Sequence, residues 1–233
     1  MRPGPEELAA LQSSITGRML AGDDIIIVSP VGLSGTRTLL ENNDERLRRK
    51  FSAAFLKDAN DTCTAHMVSE AEEKSGKILE AAEKNNLNSY IAAGRSGFLG
   101  ALWVLAEASG CGLTLDLRRV PILQYTVEIC EELGEDPYKL PSEGSFLFSM
   151  PSGEGFVSEL RTLGIFAAVC GKANHTNDRL LLSGEIVRYL DKPRWDRGSA
   201  GTGGQTPVSQ MGHPGQPPCP NGPPVPMRRV TND

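Results

Sequence analysis

The run Gly94-Arg95-Ser96-Gly97-Phe98-Leu99-Gly100 is the stretch whose residue types and spacing come nearest to working chemistry. Glycine turns the chain where a side chain would forbid it, and leaves amide N–H groups bare enough for a ligand to approach. Where such a turn opens a helix, the unpaired amides and the helix dipole favour an anion. Arg95 adds a full positive charge with a forked donor geometry suited to phosphate or carboxylate. The plain structural alternative is a close-packed strand–turn–helix corner, with Ser89–Ala93 as the strand and Leu99, Leu102, Trp103 and Ala106 on the buried face of the helix.

The same glycine spacing resembles a dinucleotide fingerprint, and Asp116 falls near the distance expected of a ribose-binding carboxylate. Against that reading, the turn does not open the first unit of the chain, and no Tyr-x-x-x-Lys pair occurs. Other chemistry is thin. His66 and His175 have no companion Cys, Asp or His beside them and read as surface residues, His66 near a helix N-terminus, while His213 falls late in the chain. Glu70, Glu72 and Glu73 spread around a helix as a solvated face. No catalytic residue is singled out, and no metal site is expected.

The elements that must position the glycine turn follow from periodicity. Leu8, Leu11 and Ile15 suggest a helix over Glu6–Met19 stopped by Gly22, and Ile25–Ser29 is a short, fully apolar strand. Its apolar character suggests an edge in need of cover, hence a homodimer or a complex with a related chain. Thr36 suits the N-cap of a helix through Leu39 and Leu40, and further helices are expected over Asp44–Phe55 and Thr64–Lys84. Leu113, Leu115 and Leu117 alternate as a strand. Pro121 suits the first turn of a helix that Gly134 ends. Ser145–Met150, Ile165–Gly171 and Leu180–Leu182 are further strands, with a helix over Gly153–Leu163. Mixed order of this kind implies an α+β fold, a mixed β-sheet covered by helices.

Composition bounds the rest. The chain of 233 residues is 39% hydrophobic and carries a net charge of −5, which suits one core and argues against a nucleic-acid surface. The five cysteines form no Cys-x-x-Cys pair, so reduced, buried thiols are expected in place of a disulfide framework or zinc site. Neither an export signal nor a membrane-spanning run is evident, so the expected location is cytoplasmic. Residues 194–233 turn to Gly, Pro, Ser, Thr and Gln and are expected to be a disordered tail. The expected organisation is therefore an N-terminal helix over 1–20, a domain over 21–193 and that tail.

Four blocks then carry a family resemblance: Ile25–Thr36, Gly100–Leu113, Glu128–Leu140 and Asn177–Leu182. In that order they resemble the C-terminal domain of the aminoimidazole ribonucleotide (AIR) synthase-related superfamily, in particular its hydrogenase maturation factor, or carbamoyl dehydratase-like, branch. The resemblance spans about Ala21 to Leu190 and implies a PurM C-terminal domain-like fold. It also implies ATP with Mg as the family's cofactors, used to activate an amide or carbonyl oxygen, with the main nucleotide and metal ligands in an N-terminal domain. By resemblance the nucleotide-contacting positions here are Gly94, Arg95, Ser96 and Gly97, together with Ser142, Gly144 and Ser145 in a Ser-x-Gly-Ser turn.

The glycine turn departs from the family's His-Asp-x-Thr-x-Gly-Gly pattern, of which only Gly97 stands here. The carrier cysteine that ends the maturation enzyme has no match either, since Cys219 lies inside the tail. These departures imply a diverged protein, weakly active or inactive alone. The other readings are an enzyme half completed by a separate N-terminal subunit, a dimerising or scaffold module, and a short-chain dehydrogenase-like NAD(P)-binding protein.

Overall fold

The computed structural model describes residues 4–68 and 73–193. The expectations for residues 194–233, and for Glu70 and Glu72, lie outside that range. Helices α1 (Pro5–Ser13), α2 (Leu33–Asn42), α3 (Asp44–Leu47), α4 (Ala53–His66), α5 (Glu73–Lys84), α6 (Gly97–Ser109), α7 (Gln124–Leu133) and α8 (Glu154–Thr162) surround one sheet. Its strands are β1 (Thr16–Gly17), β2 (Asp24–Val28), β3 (Ser89–Ala92), β4 (Gly112–Asp116), β5 (Phe146–Met150), β6 (Ala167–Asn174), β7 (Arg179–Ser183) and β8 (Ile186–Tyr189). They lie in the order β1-β3-β5-β2-β6-β4-β7-β8, antiparallel throughout except for the parallel β4–β7 pair.

The unbroken run Ile25-Ile26-Ile27-Val28 is explained by the position of β2. It is not an edge strand: β5 pairs with one side of it and β6 with the other. Ile25 and Ile27 face the layer built on α6 and the end of α1, while Ile26 and Val28 face the layer built on α5 and α8. A strand buried on both faces loses the polar alternation that a half-exposed strand keeps. The homodimer expected from this strand therefore has no support at β2.

Helix α6 is apolar on nearly every side because it is enclosed: Phe98, Leu102 and Leu105 are fully buried against the sheet, and Trp103 is covered from outside. Gly110 ends it at φ +69°, as Gly134 ends α7 at φ +77°, both left-handed caps that a β-carbon would strain. A satellite core joins α3, α4 and α7 through Leu47, Leu56 and Ile129, with Phe51 stacked on Phe55 at 4.6 Å between ring centres.

Several boundaries differ from those read off periodicity. The first helix ends at Ser13 instead of running to Met19, because Thr16 and Gly17 pair with β3. Thr36 is no N-cap; it sits inside α2 with its hydroxyl donating to the Gly32 carbonyl and sharing a hydrogen bond with Thr126. The helix expected over Asp44–Phe55 breaks after Leu47 and restarts at Ala53, where the Ser52 hydroxyl accepts from the Phe55 amide. The one expected over Thr64–Lys84 is two helices, so His66 closes α4 instead of opening a helix. Pro121 precedes α7 in extended chain, where its carbonyl accepts from the Val31 amide. Strand β8 was not foreseen.

Candidate functional site

The seven residues marked by resemblance gather at one end of the sheet, and the register explains why. Phe146 is level with Val28 on one side and with Ala92 on the other, so the chain leaving β2, the chain leaving β3 and the chain entering β5 emerge side by side. Backbone hydrogen bonds then bind the three loops. The Ala93 amide donates to the Ser145 carbonyl at 2.9 Å and the Ser142 amide to the Gly94 carbonyl at 3.0 Å.

Within this rim the residues divide in two. Ser142 and Ser145 are buried, and their hydroxyls are used internally. The Ser142 hydroxyl accepts from the Gly32 amide at 2.9 Å and donates to the Leu140 carbonyl, while the Ser145 hydroxyl donates to the Pro30 carbonyl at 2.6 Å. Gly144 has φ +88°, and a β-carbon on it would stand 2.9 Å from Met67. These three residues tie the rim together.

Gly94, Arg95, Ser96 and Gly97 form the outward part. Gly97 holds φ +69° with room for no β-carbon, since one would lie 2.7 Å from the Leu140 carbonyl oxygen; Gly94, at φ +56°, faces open space. The Gly97 amide closes the turn onto the Gly94 carbonyl at 3.2 Å. The N-terminus of α6 has no side-chain cap. The Arg95 side chain is 93% exposed, and its partner is Glu143 at 3.6 Å. Glu107, on α6, is paired with Arg179.

This arrangement can offer backbone N–H groups and one guanidinium to an anion. Among the described residues no group of three or more His, Cys, Asp and Glu stands close enough to share a metal. Glu143, the carboxylate at the rim, is turned to Arg95. The dinucleotide reading fails on the fold: β3 is flanked by antiparallel neighbours, whereas that motif opens a parallel unit. Asp116 is held by Arg118 through both of its oxygens. His175 is exposed in a turn, and the ring of His66 lies edge-on to Phe166 at 5.0 Å.

Cys63, Cys130 and Cys170 are buried free thiols, and Cys111 is half-buried. Burial pushes Cys63 up to about 11 and both Cys130 and Cys170 up to about 12, so none is poised as a nucleophile. Among the described residues no helix is long and apolar enough to cross a membrane.

Carbamoyl dehydratase HypE of Rhodobacter capsulatus is 27% identical over 177 residues, covering 73% of this chain and 45% of the relative. Among solved structures, HypE of E. coli superposes with a TM-score of 0.60 at 20% identity, covering 77% of this chain and 52% of that one. Thiamine monophosphate kinase from Aquifex aeolicus gives a TM-score of 0.54 at 14% identity, covering 76% and 55%. The chain thus spans about half the length of the relatives it matches. The family model described as "AIR synthase related protein, C-terminal domain" matches residues 21–181, from ahead of β2 into β7, and the chain belongs to that family.

Proposed function

We propose that this chain is a diverged HypE-like protein whose C-terminal domain keeps the family's phosphate-facing turn without the means to run ATP chemistry alone. The observation that carries the proposal is the division within the rim. Ser142, Gly144 and Ser145 are consumed in holding the loops, and what remains outward, Gly94 to Gly97, offers donors but no carboxylate free to hold a metal. A HypE structure in complex with ATP, 19% identical, and a ThiL structure complexed with AMPPCP and TMP, 15% identical, are among the similar folds. They make a nucleotide the natural ligand class to test. ATP would bring its own triphosphate charge, and the residues placed to meet it are the Arg95 guanidinium and the first amides of α6.

One helix end contributes about 0.3–1 kcal/mol, so the rim by itself holds a phosphate no better than millimolar. Any stronger binding requires a second surface closing over Gly94, from a related chain or from sequence beyond the described domain. Calorimetry of the chain with Mg-ATP is expected to show no micromolar binding, and a phosphate-release assay no turnover. A micromolar dissociation constant, or ATP hydrolysis that follows the purified chain, would overturn the proposal.

A further inference from the structure

We infer that β8 is a docking edge for a second copy of this chain, joining two sheets about a twofold axis at Val187. Strand β8 is the last of the sheet and pairs only with β7. Ile186, Val187 and Tyr189 are 68, 58 and 67% exposed. Sheet edges in soluble proteins are ordinarily kept short, bulged, or guarded by Pro or Lys. The opposite edge follows that rule, since β1 has two residues. Strand β8 has neither Pro, Lys nor a bulge, and all its residues but Arg188 are strong strand formers.

Backbone geometry restricts how a second strand can be accepted. The Leu190 amide donates to the Arg179 carbonyl at 2.8 Å, and Arg188 and Ile186 stand at the next two alternate positions opposite β7. In an antiparallel ladder hydrogen-bonded pairs alternate. Arg188 and Ile186 therefore turn their peptide groups toward β7, and Val187 and Tyr189 turn theirs outward. A second β8 has to set outward residues against outward residues, which leaves Val187 opposite its own copy, Val187 opposite Tyr189, or Tyr189 opposite its own copy. The second places Arg188 directly against the other Arg188 at the closest cross-strand spacing, where like charges destabilise. The third sets Val187 against Asp191, a carboxylate lying beyond the end of β8. The first sets Arg188 against Ile186 and Tyr189 against Glu185, which keeps the guanidinium groups apart and brings a phenol hydroxyl beside a carboxylate.

The same register completes an apolar row. Val187 is level with Leu182, and Tyr189 with Leu180, on the face that points away from α6; neither leucine belongs to the buried core, unlike Leu181 between them. With the axis at Val187 the side chains of Leu182, Val187, the second Val187 and the second Leu182 form one line across four strands.

The test is sedimentation velocity on the full chain from 5 to 200 µM, beside Val187→Lys and Val187→Cys. The wild type is expected to sediment as a dimer at the upper end, and Val187→Lys as a monomer with unchanged circular dichroism. Opposed α-carbons in a hydrogen-bonded pair are about 5.5 Å apart, within disulfide reach. Mild oxidation of Val187→Cys should therefore yield a dimer whose cross-linked peptide joins position 187 to position 187. A wild-type chain that stays monomeric at 200 µM, a dimer indifferent to Val187→Lys, or a cross-link from 187 to a residue of the same chain would each overturn the inference.

Discussion

Gly97 and Gly94 look alike in the sequence, yet the structure asks different things of them. Gly97 has both a positive φ and the Leu140 carbonyl against it, while Gly94 has only the positive φ. Gly94→Ala should cost about 1 kcal/mol, the left-handed penalty alone. Gly97→Ala adds a clash with rigid backbone and should cost roughly 3 kcal/mol or more, read as the difference in urea midpoints. The outward turn was legible because a glycine run before a helix announces itself. The inward duties of Ser142 and Ser145 were not, since the carbonyls they serve, Leu140 and Pro30, are known only once the loops are folded. The buried thiols give a second prediction at this scale. The unfolded chain releases thiol protons near pH 8.5, whereas the fold retains those of Cys63, Cys130 and Cys170 to about 11, 12 and 12. Because the folded values are raised, this stabilisation is complete below about pH 8.5 and is lost as pH climbs toward 11 and 12. Urea midpoints should fall between pH 8.5 and pH 10.5. Iodoacetamide at pH 8.5 should spare these three thiols in the native protein and label them in urea, as read by peptide mass spectrometry.

Elements were legible where one face meets one environment and illegible where the chain is enclosed or locally interrupted. Strand β4 alternates as half-covered strands do, and Gly110 and Gly134 stop helices for a reason visible in any sequence. Strand β2 reads as apolar with no hint of centre or edge, since burial on both faces erases the periodicity that would place it. The break between α3 and α4 was missed because Leu47, Phe51 and Phe55 keep helical spacing straight across it, while the Ser52 cap that restarts the chain is a single residue. The pairing that fastens β7 to α6 is equally hidden. Arg179 and Glu107 are 72 positions apart, each with a 15% exposed side chain, and the Arg179 guanidinium lies 5.3 Å from the Trp103 ring centre. The Arg179 Nε atom is buried without a hydrogen-bond partner, so the pair carries an uncompensated cost. Breaking a pair of this kind from one side costs roughly 3 kcal/mol, because the remaining charge is stranded, whereas removing both charges costs far less. Arg179→Met should therefore destabilise strongly, and Arg179→Met with Glu107→Gln should regain most of the loss. A double mutant no more stable than Arg179→Met would show that Arg179 acts through packing on Trp103.

At the scale of the whole molecule, the question is where the cooperative fold ends. The described chain does not stop at β8. Leu190 is buried, the Lys192 ammonium pairs with Glu7 at 2.7 Å and stands 5.3 Å from the Trp103 ring centre, and Pro193 reaches to within 3.9 Å of where a β-carbon on Gly100 would lie. Residues 190–193 therefore close the outer side of α6 and bind α1 to it, and the chain through Pro193 forms one compact unit. Two truncations follow from this. A chain ending at residue 193 keeps every one of these contacts and should melt cooperatively at the temperature of the full chain. A chain ending at residue 185 loses β8 and the Lys192 contacts, uncovers Trp103 and leaves Leu180 and Leu182 at a raw sheet edge. It should melt several degrees lower, since in a domain of this size each 1 kcal/mol corresponds to about 2–4 °C. Calorimetric scans of both, run well below the concentration at which β8 edges would associate, separate folding from dimerisation. A lower melting point for the chain ending at 193 would mean that residues 194–233 contribute to the fold, and an unchanged one for the chain ending at 185 would mean that β8 and the Lys192 contacts add nothing to it.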